Sequence, residues 1–255
     1  MLILTVVAPV LGTNCYLVAN QIGGVCVVVD PGGGVADPVA AVADRYQLTP
    51  VGIVATHGHV DHTWDAATLG ERYSLPLTLH EADAYRLEDP FGTLGPLGHG
   101  VHDPDGPLAQ ALANAGVDPS GYRAPRVDAF TSGGSGTTTL SFEEISLEFV
   151  HAPGHTEGAG LYVSREAPAE GSVLPVTGVQ GGDVVQVAFT GDVLFAGTIG
   201  RTDLPGGDAA TMARSLVDPV ACLDPATLVL PGHGPGSTMR DELRSNPFLT
   251  GAAQP

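Results

Sequence analysis

Residues 56–62 have the sequence THGHVDH and directly follow an apolar stretch, VGIVA at residues 51–55. Four of these seven residues carry imidazole or carboxylate side chains: His57, His59, Asp61 and His62. Packed together, such groups desolvate or repel one another unless a cation binds between them. The apolar stretch is typical of a buried strand. The pattern therefore predicts a metal site at the carboxyl end of that strand.

Three later segments show the same pattern, in which a short apolar run ends at Gly or Pro and a His or Asp follows. The residues that follow these runs are His155, Asp192 and His233. Glycine permits the tight turns and close backbone approach that a crowded site needs. A single histidine after a strand indicates little. Four such strand ends in a chain with nine histidines favour one shared site.

These residues, in this order, resemble the ligand set of the metallo-β-lactamase superfamily, and the resemblance covers most of the chain. Within it, GDVLFAGTIGRTD at 191–203 and PGHGP at 231–235 are similar to the short bacterial glyoxalase II-like hydrolases. The resemblance implies an α/β (α+β) fold, a four-layer αββα sandwich of two mixed sheets flanked by helices. We expect residues 1–255 to form one domain, with halves at roughly 1–116 and 137–255 and without a separate C-terminal helical substrate domain. The local pattern predicts a helix over 63–73, an irregular stretch over 116–136, and loop regions at 89–107 and 165–183.

The resemblance also implies a binuclear metal site. In the family pattern the ligands of the first metal are His57, His59 and His155, those of the second are Asp61, His62 and His233, and Asp192 bridges both. Imidazole and carboxylate ligands suit two divalent ions, with zinc expected first and iron or manganese as alternatives. Two such metals can activate a shared water as a hydroxide near neutral pH, and Asp61 is expected to orient this nucleophile.

Other polar residues leave alternatives open. Arg201 stands nine residues after Asp192, where glyoxalase II has a basic residue that binds the glutathione thioester, but it is equally suited to a salt bridge with Asp203. Asp30, in the segment VDPG, is expected to orient a ligand or to form a turn. The remaining histidines are not expected to bind metal: His80, His99, His102 and His151.

Composition limits the partners and the setting. The chain has 255 residues, 43% hydrophobic and 15% charged, which predicts a folded protein with a large core. Its net charge of −18 argues against nucleic acid and anionic membranes as partners and leaves a small-molecule substrate. No signal peptide or membrane span is predicted, and three cysteines without metal-type spacing favour a cytoplasmic location. The oligomeric state stays open.

We therefore expect a hydrolase that cleaves a thioester of a low-molecular-weight thiol, as glyoxalase II does. The thiol should be loosely recognised, because Asp203 and Pro235 replace tyrosines of that family. One alternative is a persulfide dioxygenase with a single iron, although the complete second ligand set favours hydrolysis. Another is hydrolysis of a phosphoester or a lactone at the same site. β-Lactam hydrolysis is disfavoured, because those enzymes lack a bridging aspartate such as Asp192.

Overall fold

Two six-stranded sheets form the centre of the structure, a computed structural model that describes residues 1–97, 106–134, 136–176 and 184–255. In spatial order, the first sheet contains β1 (Leu2–Val7), β2 (Asn14–Ala19), β3 (Val25–Val29), β4 (Thr49–Val54), β5 (Leu77–His80) and β6 (Val127–Phe130). In chain order, the second contains β7 (Thr137–Phe142), β8 (Ile145–His151), β9 (Gly160–Ser164), β10 (Gln186–Gly191), β13 (Thr227–Pro231) and β14 (Ser237–Thr238). A hairpin lies between β10 and β13 and is formed by β11 (Leu194–Phe195) and β12 (Thr198–Ile199).

Both sheets are mixed, as the resemblance implied. In the first sheet, β1, β2 and β3 run antiparallel, and β3 to β6 run parallel. The second sheet has the spatial order β14-β13-β10-β9-β8-β7, in which β10 and β13 are parallel and the other neighbours are antiparallel. Parallel neighbours bring their carboxyl ends to the same edge of a sheet. The loops after β4, β10 and β13 follow such ends.

Within the described residues, six α-helices accompany the sheets: α1 (Ala36–Tyr46), α2 (Val60–Thr63), α3 (Ala66–Tyr73), α4 (Pro107–Asn114), α5 (Ala209–Val217) and α6 (Met239–Ser245). Local signals in the sequence mark several of their starts. The side chain of Asp208 accepts a hydrogen bond from the amide of Thr211 at the start of α5. Thr238 caps α6 in the same way, and Pro107 occupies the first turn of α4.

The apolar side chains form layers in the order helix, sheet, sheet, helix. Residues such as Tyr16, Phe149 and Phe189 fill the space between the two sheets. The outer face of the first sheet packs against α1 and α3, and that of the second packs against α5 and α6. This arrangement confirms the predicted αββα sandwich. No helix in the described ranges is long and apolar enough to cross a membrane.

The first half of the chain differs from the expectations in two places. The helix predicted over 63–73 is divided between α2 and α3, because the amide of Asp65 donates to Pro31 O and its carboxylate accepts from Ala36 N. The stretch 116–136, predicted to be irregular, contains β6, which extends the first sheet beyond residue 116. β6 has the sequence VDAF and is half-buried to exposed, so it lacks the alternation of a typical strand.

Two predicted loop regions also contain ordered structure. The segment 89–107 includes a 3-10 helix at Gly92–Leu97, and its histidines His99 and His102 lie outside the described residues. The excursion at 165–183 returns to the first sheet, where Val173 exchanges backbone hydrogen bonds with Ile3 and Thr5 beside β1. These contacts join the two halves of the chain along one sheet edge.

Candidate metal centre

The seven residues of the predicted ligand set come together at one edge of the sandwich, at or after the carboxyl ends of β4, β8, β10 and β13. Their ligand atoms fall into three overlapping groups, each within 4.8 Å: His57, His59 and His155; His57, His62 and Asp192; Asp61, His62 and His233. Four separate strand ends therefore supply one cluster.

Three imidazoles of the first group point ring nitrogens at one another. His57 Nε2 lies 3.1 Å from His59 Nδ1, which lies 2.9 Å from His155 Nε2. The outer nitrogen of His57 is paired with Thr56 Oγ1 at 3.1 Å, and that of His155 with the carbonyl of Arg201 at 2.7 Å. A carbonyl only accepts, so His155 carries its proton on Nδ1 and directs the lone pair of Nε2 inward.

The group of Asp61, His62 and His233 is joined to the first group by one carboxylate. His233 Nε2 lies 3.2 Å from Asp61 Oδ2 and 3.3 Å from His62 Nε2. Asp192 stands between the groups: its Oδ1 is 3.3 Å from His62 Nε2, and its Oδ2 is 3.6 Å from His155 Nε2 and 3.7 Å from His233 Nε2. The carboxylate of Asp192 therefore lies within 4 Å of histidines from both groups.

Close packing around Asp192 depends on glycine at position 232. A Cβ atom on Gly232 would lie 2.5 Å from Asp192 Oδ1 and 2.5 Å from His62 Cε1. Any other residue would therefore displace these two side chains. The loop itself is held in place by Asn14, whose side-chain amide donates to the carbonyls of Pro231 and Gly234. The PGHG sequence thus allows the loop after β13 to place the His233 side chain within the cluster.

Asp30 orients His62 directly and His57 through the hydroxyl of Thr56. It is buried, has a left-handed backbone with φ of 53°, and accepts hydrogen bonds from the amide and hydroxyl of Thr56. Its Oδ2 also lies 3.0 Å from His62 Nδ1. Because the Thr56 hydroxyl donates to Asp30, it accepts from His57 Nδ1. Both histidines are thereby held with Nε2 directed into the cluster.

The charges and unpaired atoms of the cluster fit a bound cation. Burial and the neighbouring histidines lower the pKa of His57 and His59, which leaves them as the neutral imidazoles that bind metals. Burial alone would lower the pKa of His62, but Asp192, Asp61 and Asp30 raise it well above its usual value. Asp192 Oδ1 is buried and makes no regular hydrogen bond in the described part of the chain, although it lies 3.3 Å from His62 Nε2. Converging lone pairs and carboxylates are the donor set that zinc and iron bind.

A buried ion pair that the sequence did not reveal links the loops of the cluster. Asp83 and Arg86 are both fully buried, in the 3-10 helix Glu81–Leu87. Asp83 accepts from Gly58 N at 2.7 Å and Thr156 Oγ1 at 2.6 Å, and so joins the loops that carry the first histidine group. In sequence, an aspartate and an arginine three residues apart are typical of a solvated helix face, so no local signal distinguishes this pair.

Arg86 extends the same network to two more segments. Its guanidinium donates to the carbonyl of Pro205 at 2.8 Å and to the carboxylate of Glu157. Gly206 is required beside it, because a Cβ atom there would lie 2.1 Å from Arg86 Nη2. The network therefore holds the 200–207 loop against the loop that follows β8.

Arg201 and Asp203 form the salt bridge that was one of the two sequence expectations. Arg201 Nε donates to Asp203 Oδ1 at 2.6 Å and Nη2 donates to Oδ2 at 2.8 Å. The hydrogen bonds from Arg201 lower the pKa of Asp203 to about 2. Arg201 also lines a cleft of about 240 Å³ beside the ligand atoms, so the bridge does not remove it from the site.

His80 and His151 lie outside the three ligand groups. Their rings stack at 4.2 Å, and His80 also packs against Phe130 and Phe149. His80 Nδ1 accepts from the amide of Ala82, and His151 Nε2 is 2.9 Å from Glu157 O. Their contacts are those of packed structural histidines.

Comparisons with known proteins agree with the fold. A sequence profile of the metallo-beta-lactamase superfamily matches residues 8–169. An uncharacterised protein of Mycobacterium tuberculosis is 37% identical over 256 residues and covers 100% of both chains. The hydroxyacylglutathione hydrolase GloC of Haemophilus influenzae is 28% identical over 240 residues, with 92% of each chain covered.

Solved structures match over nearly the whole chain. BLEG-1, described as a B3 metallo-β-lactamase, superposes with a TM-score of 0.71 at 27% identity, covering 98% of this chain and 100% of its own. TTHA1623, crystallised in a di-iron-bound form, gives 0.66 at 30% identity, with 96% and 99% covered. Profile, full-length relatives and structures agree, and this chain belongs to the metallo-β-lactamase superfamily.

Proposed function

We propose that this protein is a binuclear metal-dependent hydrolase that cleaves a thioester of glyoxalase II type into a carboxylic acid and a free thiol. The observation that carries the proposal is the position of Asp192, whose two oxygens lie 3.3–3.7 Å from histidines of both ligand groups. The residues proposed to hold the metals are His57, His59 and His155 for the first, Asp61, His62 and His233 for the second, and Asp192 for both. Bound there, divalent metals supply Lewis-acid stabilisation of a carbonyl oxygen and lower the pKa of water.

The protein's own groups position the reactants. Asp61 lies on the floor of the cleft, and the charge of His62 and a hydrogen bond from His233 lower its pKa despite the opposing effect of burial. An ionised carboxylate at this place would accept a hydrogen bond from a water molecule and so direct the lone pair of the water oxygen towards a carbonyl carbon. We assign Asp61 this role. Addition of water and departure of the thiol then balance the reaction without a further co-reactant.

One relative supports hydrolysis, and a second supports two metals per chain. The Haemophilus influenzae relative is named a hydroxyacylglutathione hydrolase, and the match extends over 92% of each chain. The relative with two bound irons is 30% identical and supports two metals per chain. Zinc is our first proposal for the metal, with iron and manganese as alternatives.

We propose a small-molecule substrate, one catalytic domain over residues 1–255 and a cytoplasmic location. The net charge of −18 disfavours polyanionic partners. Cys15, Cys26 and Cys222 are unpaired thiols, which is typical of proteins in reducing compartments.

The experiment that tests the proposal measures metal content and two activities on one preparation. The metal-loaded protein should hydrolyse a thioester under argon, with one thiol released per acid formed. Asp61→Ala should abolish this activity, whereas Asp37→Ala, which alters an exposed carboxylate paired with Arg72, should not. If iron-loaded protein instead consumes oxygen with a persulfide and leaves thioesters intact, the dioxygenase alternative is correct.

A further inference from the structure

The cleft beside the ligand atoms has one apolar wall. Its polar lining includes His59, Asp61, His155 and Asp192. Apart from Arg201, the rest of its described lining is apolar and forms the apolar wall: Leu11, Val60, Leu94, Pro107, Leu108, Ala111 and Leu204. When the carbonyl group of a substrate binds beside the ligand atoms, the acyl chain next to that carbonyl therefore contacts this wall.

The wall belongs to a packed cluster and is preformed. Leu94 and Leu108 are only 8% and 6% exposed, and they pack in one buried cluster with Trp64 and Phe91. The rings of Trp64 and Phe91 meet edge to face, with centroids 6.1 Å apart. Such a wall cannot rearrange to expose polar groups to a ligand without breaking the cluster.

Among the described residues that line the cleft, Arg201 is the charged side chain outside the ligand set, and it is already paired. Asp203 accepts two hydrogen bonds from its guanidinium, so the pair is neutral as a whole. A neutral pair gives little attraction to the carboxylates of a peptide thiol such as glutathione. The volume of about 240 Å³ is also below the roughly 300–1,000 Å³ of pockets that enclose whole ligands. The cleft thus fits the part of the substrate next to the reacting carbonyl.

We propose that this cleft is an acyl subsite for a short apolar chain, so that the preferred substrates are thioesters of small aliphatic acids and not of hydroxy acids. The inference rests on the proposed thioester hydrolysis for its reaction and on the apolar wall for its specificity. Each methylene group that this wall removes from water makes the free energy of substrate binding more favourable. The wall provides no hydrogen-bond partner for a hydroxyl group among its described side chains.

The test compares acyl thioesters of one uncharged carrier, N-acetylcysteamine, with the metal-loaded protein. The value of kcat/KM should rise about fourfold for each methylene from acetyl to pentanoyl, the factor that corresponds to burial of one CH₂ group. The lactoyl thioester should be a poorer substrate than the propanoyl thioester. A flat series, or a preference for lactoyl, would overturn the inference.

Variants of α4 provide the structural control. Ala111 is half-buried and faces the cleft, whereas Ala113 is exposed on the same helix. Ala111→Leu should fill the subsite and lower kcat/KM for the pentanoyl thioester about tenfold, with the acetyl thioester little changed. Ala113→Leu should leave the whole series as in the unmodified protein. Equal effects of the two variants would contradict a subsite at this wall.

A binding measurement separates failure of the subsite from failure of the proposed reaction. Calorimetric titration with carboxylates from acetate to pentanoate should show affinity that rises with chain length and a negative heat-capacity change in the unmodified protein. Both effects should be reduced by Ala111→Leu. If this series holds but no thioester is cleaved, the apolar subsite stands and the thioesterase proposal is wrong. If thioesters are cleaved but neither series depends on chain length, the subsite is wrong.

Discussion

The carboxylate of Asp83 and the guanidinium of Arg86 form an ion pair with no exposed side-chain surface, and their hydrogen bonds reach both loops of the first histidine group and the loop at Pro205. Removing one partner of such a pair leaves an uncompensated buried charge. The pair therefore links the stability of the chain to the geometry of the cluster.

Arg86→Leu should lower the free energy of unfolding by about 3–5 kcal/mol, because the charge of Asp83 would remain buried without its partner. Urea denaturation followed by circular dichroism measures this change. The control is Arg123→Leu, which removes an exposed arginine paired with Glu71 and should cost about 1 kcal/mol or less. Similar losses in the two variants would show that the Arg86 network is not a structural support.

Asp30→Asn should weaken metal binding about 10–100-fold, because the amide cannot accept all the hydrogen bonds that orient His57 and His62. Asparagine tolerates the left-handed backbone at this position, so the fold should persist. Competition with a chelator measures the affinity. Asp37→Asn provides the matched change at an exposed carboxylate, and an equal loss there would contradict the assigned role.

Asp192→Ala should reduce metal content more broadly than any other single substitution in the cluster, because Asp192 is the carboxylate nearest to both ligand groups. We expect two metals per chain in the reconstituted unmodified protein and losses from both sites in the variant. Elemental analysis after gel filtration measures this. His155→Ala should affect chiefly one site. Loss of only one metal in Asp192→Ala would exclude the bridge.

Asp203→Asn should release the guanidinium of Arg201 from its partner and create a free positive charge at the cleft. The KM for the anionic thioester S-lactoylglutathione should fall, and the effect should weaken with added salt. The KM for an uncharged thioester should not change. If the variant lowers both KM values equally, the charge of the pair does not control recognition of the thiol carrier.

The stability of the protein should fall in acid partly through His80. Burial and the neighbouring His151 lower the pKa of His80 from 6.5 to about 4 in the folded state. Between pH 6.5 and about 4 the unfolded chain therefore binds a proton at this residue that the folded chain does not, and the free energy of unfolding decreases as the pH falls. His80→Asn keeps an acceptor for the amide of Ala82 but does not titrate. Its stability should decline less between pH 6.5 and 4, while both proteins should behave alike between pH 7 and 8.

The sequence by itself indicated the residues that meet at the cluster, and its resemblance to a known superfamily implied the αββα architecture. The signal was local: apolar runs predicted the strands, and each run ended at glycine or proline before a histidine or an aspartate. Such patterns involve only residues that are neighbours in the sequence. The strand ends that they predict lie close together once the strands share one edge of a sheet. The position of Asp30 beneath the histidines followed the same logic, because it ends a strand beside β4.

Only the tertiary structure decided the buried pair of Asp83 and Arg86, the strand β6 and the hydrogen bond from His155 to the carbonyl of Arg201. Arg86 contacts Pro205, which lies 119 positions further along the chain. β6 forms because β5 offers a free edge, and its own sequence predicts no strand. The apolar wall of the cleft likewise depends on α4 packing against Trp64. The free energy of these contacts comes from burial and from partners distant in sequence, which a local pattern does not contain.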